Sequence, residues 1–329
     1  MKPRLENDAM PGPGRDHYLS DGRAGAPLLE ADTTPAGSGV ALLKVELVFN
    51  QSTVTGAYAT SPMKLLTPRS RGQSVLTYVS NFGGGLVAGD QTRLELNVGR
   101  GARCFMGTQA STKIYRNPSS RPCDHVTRAA VGPEALLVFA PAPVQPFTDS
   151  SYQQSQQFHL APGAGLVLVD WFTSGRTACG ERWAFQRFAT RNQVWQQQQE
   201  PGAAPGKAGS PKTSPVSSST ERCVFLDALV LDSTEGPLRA EFRTGRFNCF
   251  ATLLVTGALV QRTAVGILSE VGSCPVMRRG SLLLSASPTT NGAVLRMASE
   301  ELGSIENFLR RHLSPLAALL GDDPWSRRW

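Results

Sequence analysis

Short apolar segments recur along this chain with no helical pattern between them, and this recurrence constrains the fold more than any other feature of the sequence. Ten such segments are bounded by Gly, Pro or Asn, as β-strands usually are. They lie at 40–49, 74–82, 92–99, 102–116, 135–140, 165–172, 182–190, 224–232, 247–257 and 280–287. Because helices do not separate the strands, the pattern disfavours βαβ units and predicts a mostly β fold: a sandwich, a barrel or a stacked β-solenoid. No fixed repeat length is visible, so a regular solenoid is not indicated.

Helix is predicted only near the end of the chain. A first helix is indicated by one apolar stripe, and Pro315 then begins a second short helix over 314–321. The stripe consists of Leu302, Ile305, Phe308, Leu309 and Leu313.

Two segments have compositions that are typical of disorder. Residues 1–39 are rich in Gly, Pro, Ala and Asp without a sustained apolar period, which predicts a disordered leader. Residues 196–220 carry almost no apolar side chains and cannot bury enough area to offset the entropy of ordering, which predicts a disordered surface insertion. The remainder, 40–329, is expected to form a single domain.

The composition limits the cellular compartment in which the protein is expected and the classes of partner that it could bind. No apolar run approaches the roughly 18 to 20 residues of a membrane-spanning helix, and the N-terminus lacks the apolar region of a secretory signal. Six cysteines are too dilute for a disulfide framework and form no C-x-x-C pair, so a cytoplasmic protein with reduced thiols is expected. The net charge is +7, and residues 40–129 hold eleven basic against four acidic side chains. An acidic protein partner and a nucleic acid are both compatible with that surplus.

The glycine-rich segment NFGGGLVAGD (81–90) is the most unusual local sequence. It formally matches a dinucleotide-binding fingerprint, but the segment that follows is a predicted strand rather than a helix that could hold a pyrophosphate. No Lys-Ser or Lys-Thr follows the glycines, so a P-loop is also excluded. The segment is therefore interpreted as a tight turn, in which Asp90 is the one charged group that could do more.

Two further segments leave alternatives open. The predicted strand 107–116 is polar on both faces, which suits either a solvated edge strand or a hydrated internal surface. In 166–181 the carboxylates Asp170 and Glu181 bracket a turn, and they could serve glycoside hydrolysis or simply pair with Arg176 and Arg182.

Ligands for a fixed metal and groups for nucleophilic catalysis are sparse. The four histidines are scattered, and only Cys123 and His125 lie within metal-ligand spacing. No G-x-S-x-G elbow and no plausible Cys/His pair occurs in the sequence. We therefore expect neither a permanent metal site nor nucleophilic catalysis.

Four blocks, taken in order, resemble the urease accessory protein D family, also called accessory protein H, in its eukaryotic form. The blocks are YVSNFGGGLVAGD, GTQASTKIYR, APAPVQPF and LVLVDWFTSGRTACGERW. The resemblance runs from about Gly39 to the terminal RRW and departs at 1–39, at 196–220 and over a divergent 258–296. The motif residues with a structural role are Gly83, Gly84, Gly85, Gly89, Lys113, Gly175, Arg176 and Gly180.

The resemblance implies a non-enzymatic chaperone for urease maturation. Such a protein binds apo-urease and joins the F and G accessory proteins, the latter a nickel-binding GTPase, so that nickel reaches the urease active site. The family fold is elongated and mostly β, with two short helices near the C-terminus and a water-filled passage proposed to conduct nickel. The predicted fold is therefore an elongated, mostly β single domain of stacked-sheet or β-helix-like form with two short C-terminal helices. Nickel would bind only transiently, with no permanent cofactor, and neither nucleic acid nor membrane would be a partner.

A passage of this kind must bind a divalent cation weakly, because a full set of soft ligands would trap it. Scattered carboxylates and hydroxyls are suitable, and the candidates chosen by residue type in or next to the matching blocks are Asp90, Thr108, Ser111, Asp149, Asp170 and Glu181. Two other classes remain as alternatives, a basic β-rich nucleic-acid-binding protein and a glycoside hydrolase that uses Asp170 and Glu181.

Overall fold

The computed structural model describes residues 38–117, 119, 121–198, 221–275 and 279–326. The predicted leader, apart from Ser38 and Gly39, lies outside the described residues. So does the predicted insertion, apart from 196–198.

The described residues form eighteen strands and three α-helices, joined by turns and short 3₁₀ segments. The strands are β1 (Ser38–Val48), β2 (Gln51–Ala59), β3 (Met63–Leu66), β4 (Val75–Asn81), β5 (Gly85–Leu86), β6 (Gln91–Val98), β7 (Arg103–Thr108), β8 (Thr112–Ile114), β9 (Cys123–Val131), β10 (Leu136–Phe139), β11 (Val144–Pro146), β12 (Ser151–Leu160), β13 (Gly165–Thr173), β14 (Arg187–Gln197), β15 (Glu221–Asp232), β16 (Cys249–Thr256), β17 (Leu282–Thr289) and β18 (Gly292–Ser299). The helices are α1 (Gln261–Ser273), α2 (Leu302–Leu313) and α3 (Ala317–Leu320).

The centre of the molecule is a β-solenoid of about four turns. Strands β1, β6, β9, β12 and β14 run parallel in a first sheet, and β4, β7, β10 and β13 run parallel in a second. The chain alternates between the two sheets, so each turn contributes one strand to each. The prediction of a mostly β, β-helix-like fold with two short C-terminal helices is confirmed.

Antiparallel strands end both sheets. In the first sheet β2 pairs with β1 at one end and β15 pairs with β14 at the other. In the second sheet β3 pairs with β4 at one end, and β16, β18 and β17 follow β13 in antiparallel order at the other. The parallel coils therefore lie between antiparallel strands.

The helices pack on the outer face of the second sheet. The apolar stripe predicted for α2 is buried there through Ile305, Phe308, Leu309 and Leu313. A 3₁₀ turn at Ser314–Leu316 then leads into α3, so the second predicted helix is also present. In the part of the chain that the structure describes, no helix is long and apolar enough to cross a membrane.

Two local predictions are wrong. Helix α1, which buries Ala264 and Ile267, is not predicted from the sequence, because it has no side-chain cap at its first turn and contains Gly266 and Gly272. The predicted strand 107–116 is broken: β7 ends at Thr108 and β8 begins at Thr112, since the chain bends there to enter the next short sheet segment.

The interior between the two sheets is divided lengthwise. Inward side chains from the later halves of the first-sheet strands and the earlier halves of the second-sheet strands form an apolar cluster, which we call the apolar half. It includes Leu96, Val98, Val131, Phe158, Leu160, Leu166, Leu168 and Val194, each at most 4% exposed. The opposite ends of the same strands supply polar side chains.

Candidate functional site

Alternation along β9, β12 and β14 places polar side chains inside the solenoid. In β12, Gln154 and Gln156 have the same parity as Phe158 and Leu160, so all four point inward. Asn192 in β14 faces inward likewise and is completely buried. We call this region of the interior, with Asp170 of β13 at its centre, the polar half.

The Asp170 carboxylate is bound by three neutral donors and is only 8% exposed. Gln154 Nε2 donates to Oδ1 at 3.0 Å, while Thr190 Oγ1 and Asn192 Nδ2 donate to Oδ2 at 2.9 and 2.6 Å. Gln156 Nε2 in turn donates to Asn192 Oδ1 at 2.8 Å. Within the described residues, no Lys, Arg or His forms an ion pair with Asp170. Burial raises the pKa of Asp170, and its three hydrogen bonds oppose that rise only in part.

His125 of β9 is the second titratable side chain of the polar half. Its Nδ1 lies 2.7 Å from Thr92 Oγ1, and its Nε2 lies 3.1 Å from Thr127 Oγ1. Burial lowers the pKa of His125 to about 4, so the imidazole is neutral at physiological pH. Its neutrality leaves the Asp170 carboxyl as the acidic group of this part of the interior with which a cation could pair.

A small cavity of about 50 Å³ lies among these side chains, with room for only a few water molecules. The polar residues that line it include Asn81, Thr108, Thr112, His125, Tyr152, Gln154, Gln156 and Asp170. The Oδ1 atom of Asn81 is buried without a hydrogen-bond partner in the structure. Such an atom at a polar cavity indicates a place where a hydrated guest could be bound.

A larger groove of about 440 Å³ lies on the other side of the second sheet, beneath α2. Thr108, Pro141, Ala142 and Trp171 line both the groove and the cavity. Two hydrogen bonds hold the segment between them: Trp171 Nε1 donates to the Pro141 carbonyl, and Ala142 N donates to Thr108 Oγ1, each at 2.8 Å. The groove and the cavity therefore share a wall one residue layer thick.

The six candidate lining residues fall into separate places. Asp170 and Thr108 line the cavity, and Thr108 and Ser111 line the groove. The other three carboxylates are engaged elsewhere. Asp90 Oδ2 accepts from Val87 N at 2.9 Å within its turn, Asp149 pairs with Arg116 at 3.0 Å, and Glu181 accepts from Arg176 Nε at 3.0 Å.

The glycine motifs fix the turns around these groups. A Cβ at Gly85 would lie 2.3 Å from the Lys113 carbonyl oxygen, because β5 and β8 pair at this point. Gly175 has φ +118° and approaches the Pro146 carbonyl, which only glycine allows without strain. Gly83, Gly84, Gly89 and Gly180 also have positive φ.

Cys123 and His125 do not combine into a metal site. The Cys123 thiol donates to the Val87 carbonyl at 2.9 Å, and burial raises its pKa to about 11, so it stays protonated. Among the residues that the structure describes, no group of three or more His, Cys, Asp or Glu side chains could hold a metal ion.

Sequence comparisons assign the chain to a family. A sequence model described as UreD urease accessory protein matches residues 38–329. This chain belongs to the UreD urease accessory protein family.

Relatives from bacteria and plants match most of the chain. The "Urease accessory protein UreD" of Sorangium cellulosum is 41% identical over 300 residues, which are 89% of this chain and 85% of that protein. The "Urease accessory protein D" of Arabidopsis thaliana is 31% identical over 86% of this chain and 98% of its own length. That of Oryza sativa subsp. japonica is 30% identical over 90% and 97%.

Members of the UreD family are non-catalytic accessory proteins of urease maturation and metallocentre assembly. Membership implies association with urease and its accessory proteins, and it decides against the nucleic-acid-binding and glycoside hydrolase alternatives. The family resemblance inferred from the four sequence blocks is confirmed.

None of the three hydrogen-bond donors to Asp170 was among the candidate site residues from the sequence. Gln154 belongs to β12, whose run of glutamines gives no strand signal by composition, and Asn192 lies in β14 beyond the predicted segment 182–190. The parity of Gln154 and Gln156 with Phe158 and Leu160 is the signal that could have identified them.

Proposed function

We propose that this chain is a scaffold that binds apo-urease together with the F and G accessory proteins in the cytoplasm. We further propose that its polar half passes nickel ions transiently toward the urease active site. Membership in the UreD family supports the first part. The second part rests on the Asp170 site.

The observation that carries the passage is a buried carboxylate whose protein partners are all neutral. Three donors hold Asp170 in one orientation, and each is an amide or hydroxyl that brings no positive charge. An ionised carboxylate in such surroundings is costly unless a cation approaches it. A hydrated cation in the adjacent cavity would supply that charge.

The remaining lining groups suit release rather than capture. Thr108, Thr112, Tyr152 and Gln156 offer hydroxyl and amide groups, which bind nickel less tightly than thiolate or free imidazole. One carboxylate with weak neighbours allows a cation to enter and also to leave. The groove under α2 lies behind the shared wall at Thr108, and we propose it as the outer side of this route.

The test is Asp170→Asn, which keeps the side-chain shape and removes the charge. The variant is co-expressed with urease and the accessory proteins, and nickel per urease is measured by mass spectrometry beside the yield of the pulled-down complex. We expect roughly a tenfold loss of nickel loading with assembly intact, because about 1.4 kcal/mol of electrostatic barrier corresponds to tenfold in rate.

The matched control is Asp232→Asn at the last residue of β15, outside the cavity, where the carboxylate also lies 3.6 Å from Arg187 Nε. Its side chain accepts from Thr234 N, and an asparagine can accept that bond equally well. Nickel loading of this control should equal that of the unmodified chain. Equal loading in Asp170→Asn would disprove the passage, and a parallel loss of assembly would assign Asp170 to the scaffold alone.

A further inference from the structure

A neutral His125 side chain could bind nickel tightly, which is unfavourable in an interior that must release the ion. This side chain lines the cavity together with Asp170, and it is partly accessible, as expected for a group that faces an internal space. Neutral imidazole is a strong ligand for nickel and similar metals. His125 and Asp170 both line this cavity of about 50 Å³, so an available imidazole would add a nitrogen ligand to the carboxylate that a passing ion meets there.

The structure occupies both nitrogens of this imidazole. Thr92 lies directly opposite His125 in the pairing of β6 with β9, and its hydroxyl is 2.7 Å from Nδ1. Thr127 is the next inward residue of β9, and its hydroxyl is 3.1 Å from Nε2. A neutral imidazole has one nitrogen that bears a proton and one that bears a lone pair. In the Nδ1–H tautomer the imidazole donates to Thr92 Oγ1, which donates in turn to the Asp124 carbonyl at 3.3 Å, and Thr127 Oγ1 donates to the lone pair on Nε2. In the Nε2–H tautomer the imidazole donates to Thr127 Oγ1, and Thr92 Oγ1 donates to the lone pair on Nδ1 instead of to that carbonyl.

Both threonines are well placed to keep these contacts. Thr127 is fully buried and Thr92 is 4% exposed, so bulk water does not compete for their hydroxyls. A ligand that approaches His125 must first displace a buried hydrogen bond. The imidazole is therefore present at the cavity but withheld from metal coordination.

We propose that Thr92 and Thr127 are specificity-determining residues that mask His125, so that the interior cannot retain a divalent metal ion through a nitrogen ligand. This inference rests on the proposed passage, and it adds a reason for the passage to release its ion. It assigns to two hydroxyl groups the role of keeping an imidazole nitrogen from joining the weak oxygen ligands of the interior.

The test removes the hydroxyls and keeps the side-chain volume. The double variant Thr92→Val/Thr127→Val, in the full chain within its co-purified complex, is dialysed against nickel chloride, and bound metal is measured. We expect a dissociation constant lower by about tenfold or more, since the freed nitrogen adds a metal–ligand bond. Adding His125→Gln to the double variant should abolish the gain.

The control is Thr77→Val, the same chemical change at a fully buried threonine of β4 whose hydroxyl has no partner in the structure. It should bind nickel as the unmodified chain does. Thr127→Ser keeps a hydroxyl at the masked nitrogen and should also behave like the unmodified chain. If the double variant is insoluble, the singles Thr92→Val and Thr127→Val replace it, and at least one should bind nickel more tightly.

The outcomes separate this inference from the passage itself. Masking is overturned if the folded variants bind nickel no more tightly, or if a gain persists when His125 is replaced. The passage is judged independently by Asp170→Asn. A passage that survives that test predicts that the double variant lowers nickel loading of urease and that His125→Gln restores it, a rescue that a purely structural role of the threonines would not give.

Discussion

The two halves of the solenoid interior are made by the same strands, yet they differ in chemistry. In β12 the inward residues change from Gln154 and Gln156 to Phe158 and Leu160 within one strand. In β13 they change in the opposite sense, from Leu166 and Leu168 to Asp170. Because the two strands of a coil run in opposite directions, the polar first half of β12 lies beside the polar second half of β13, and their apolar halves also lie together. The comparison teaches that parallel stacking can confine stability to one half and leave the other free to hold polar groups.

The largest expected effect comes from the apolar half. Leu168→Ala removes a completely buried side chain from the cluster between the sheets, and it should lower the free energy of unfolding by about 2–5 kcal/mol. Urea unfolding followed by circular dichroism measures this loss. Complex assembly and nickel loading should fall together, in contrast to Asp170→Asn. A selective loss of loading would show that the two halves do not divide stability and transport.

An intermediate effect is expected in the pH dependence of stability. Burial raises the pKa of Asp170 above its ordinary value of 3.8 in the folded state. At pH values between 3.8 and this raised pKa, the folded state therefore binds more protons than the unfolded state. The free energy of unfolding should therefore fall as pH rises through that window. The difference between the unmodified chain and Asp170→Asn, taken from denaturant unfolding at a series of pH values, isolates this one group.

That difference would contradict the interpretation if it were independent of pH or had the opposite slope. Other acids have shifts of their own, among them Asp124, whose pKa is also raised. Acids that do not interact with Asp170 contribute equally to both proteins and cancel in the comparison, whereas Asp227, whose charge helps to raise the pKa of Asp170, does not cancel completely.

The smallest effect is expected at Glu181, outside the polar half. Its side chain accepts from Arg176 and, at 3.3 Å, from Thr148 N, and the Arg176 side chain is 43% exposed. Exposed ion pairs of this kind contribute little, so Glu181→Gln should cost less than about 1 kcal/mol in unfolding experiments. Nickel loading of urease should stay close to that of the unmodified chain. If Glu181→Gln lowered nickel loading as much as Asp170→Asn, Glu181 would have to be counted among the residues that line the passage.

Strands with apolar sequence were predictable, and strands with glutamine or threonine at inward positions were not. The run GLVLVDWF predicts β13 because a strand buried on both faces is apolar throughout. Strands β9 and β12 were not predicted, because their inward positions are partly polar and their composition resembles that of a loop. The coils themselves give no fixed period, because successive first-sheet strands begin at unequal spacings: Ser38, Gln91, Cys123, Ser151 and Arg187.

The sequence indicated which types of residue could form the site, but it did not indicate which side chains bind Asp170. Asp170 is noticeable as a carboxylate inside an apolar run, and the family resemblance adds Thr108. The donors Gln154, Thr190 and Asn192 come from two other strands, and their meeting depends on coil register. Register between coils follows from loop lengths and inward packing, which a single sequence does not display.

The antiparallel strands at both ends of the two sheets determine how many coils the molecule has. A stack of parallel coils has no intrinsic limit, since the last coil offers a further coil the same edge that it received. Here β2, β3, β15 and β16 reverse direction at the outermost coils, so the parallel register cannot continue into another molecule. The length of the interior, including the polar half, is thus set by these terminating strands, and gain or loss of a whole coil would change that length without altering either end.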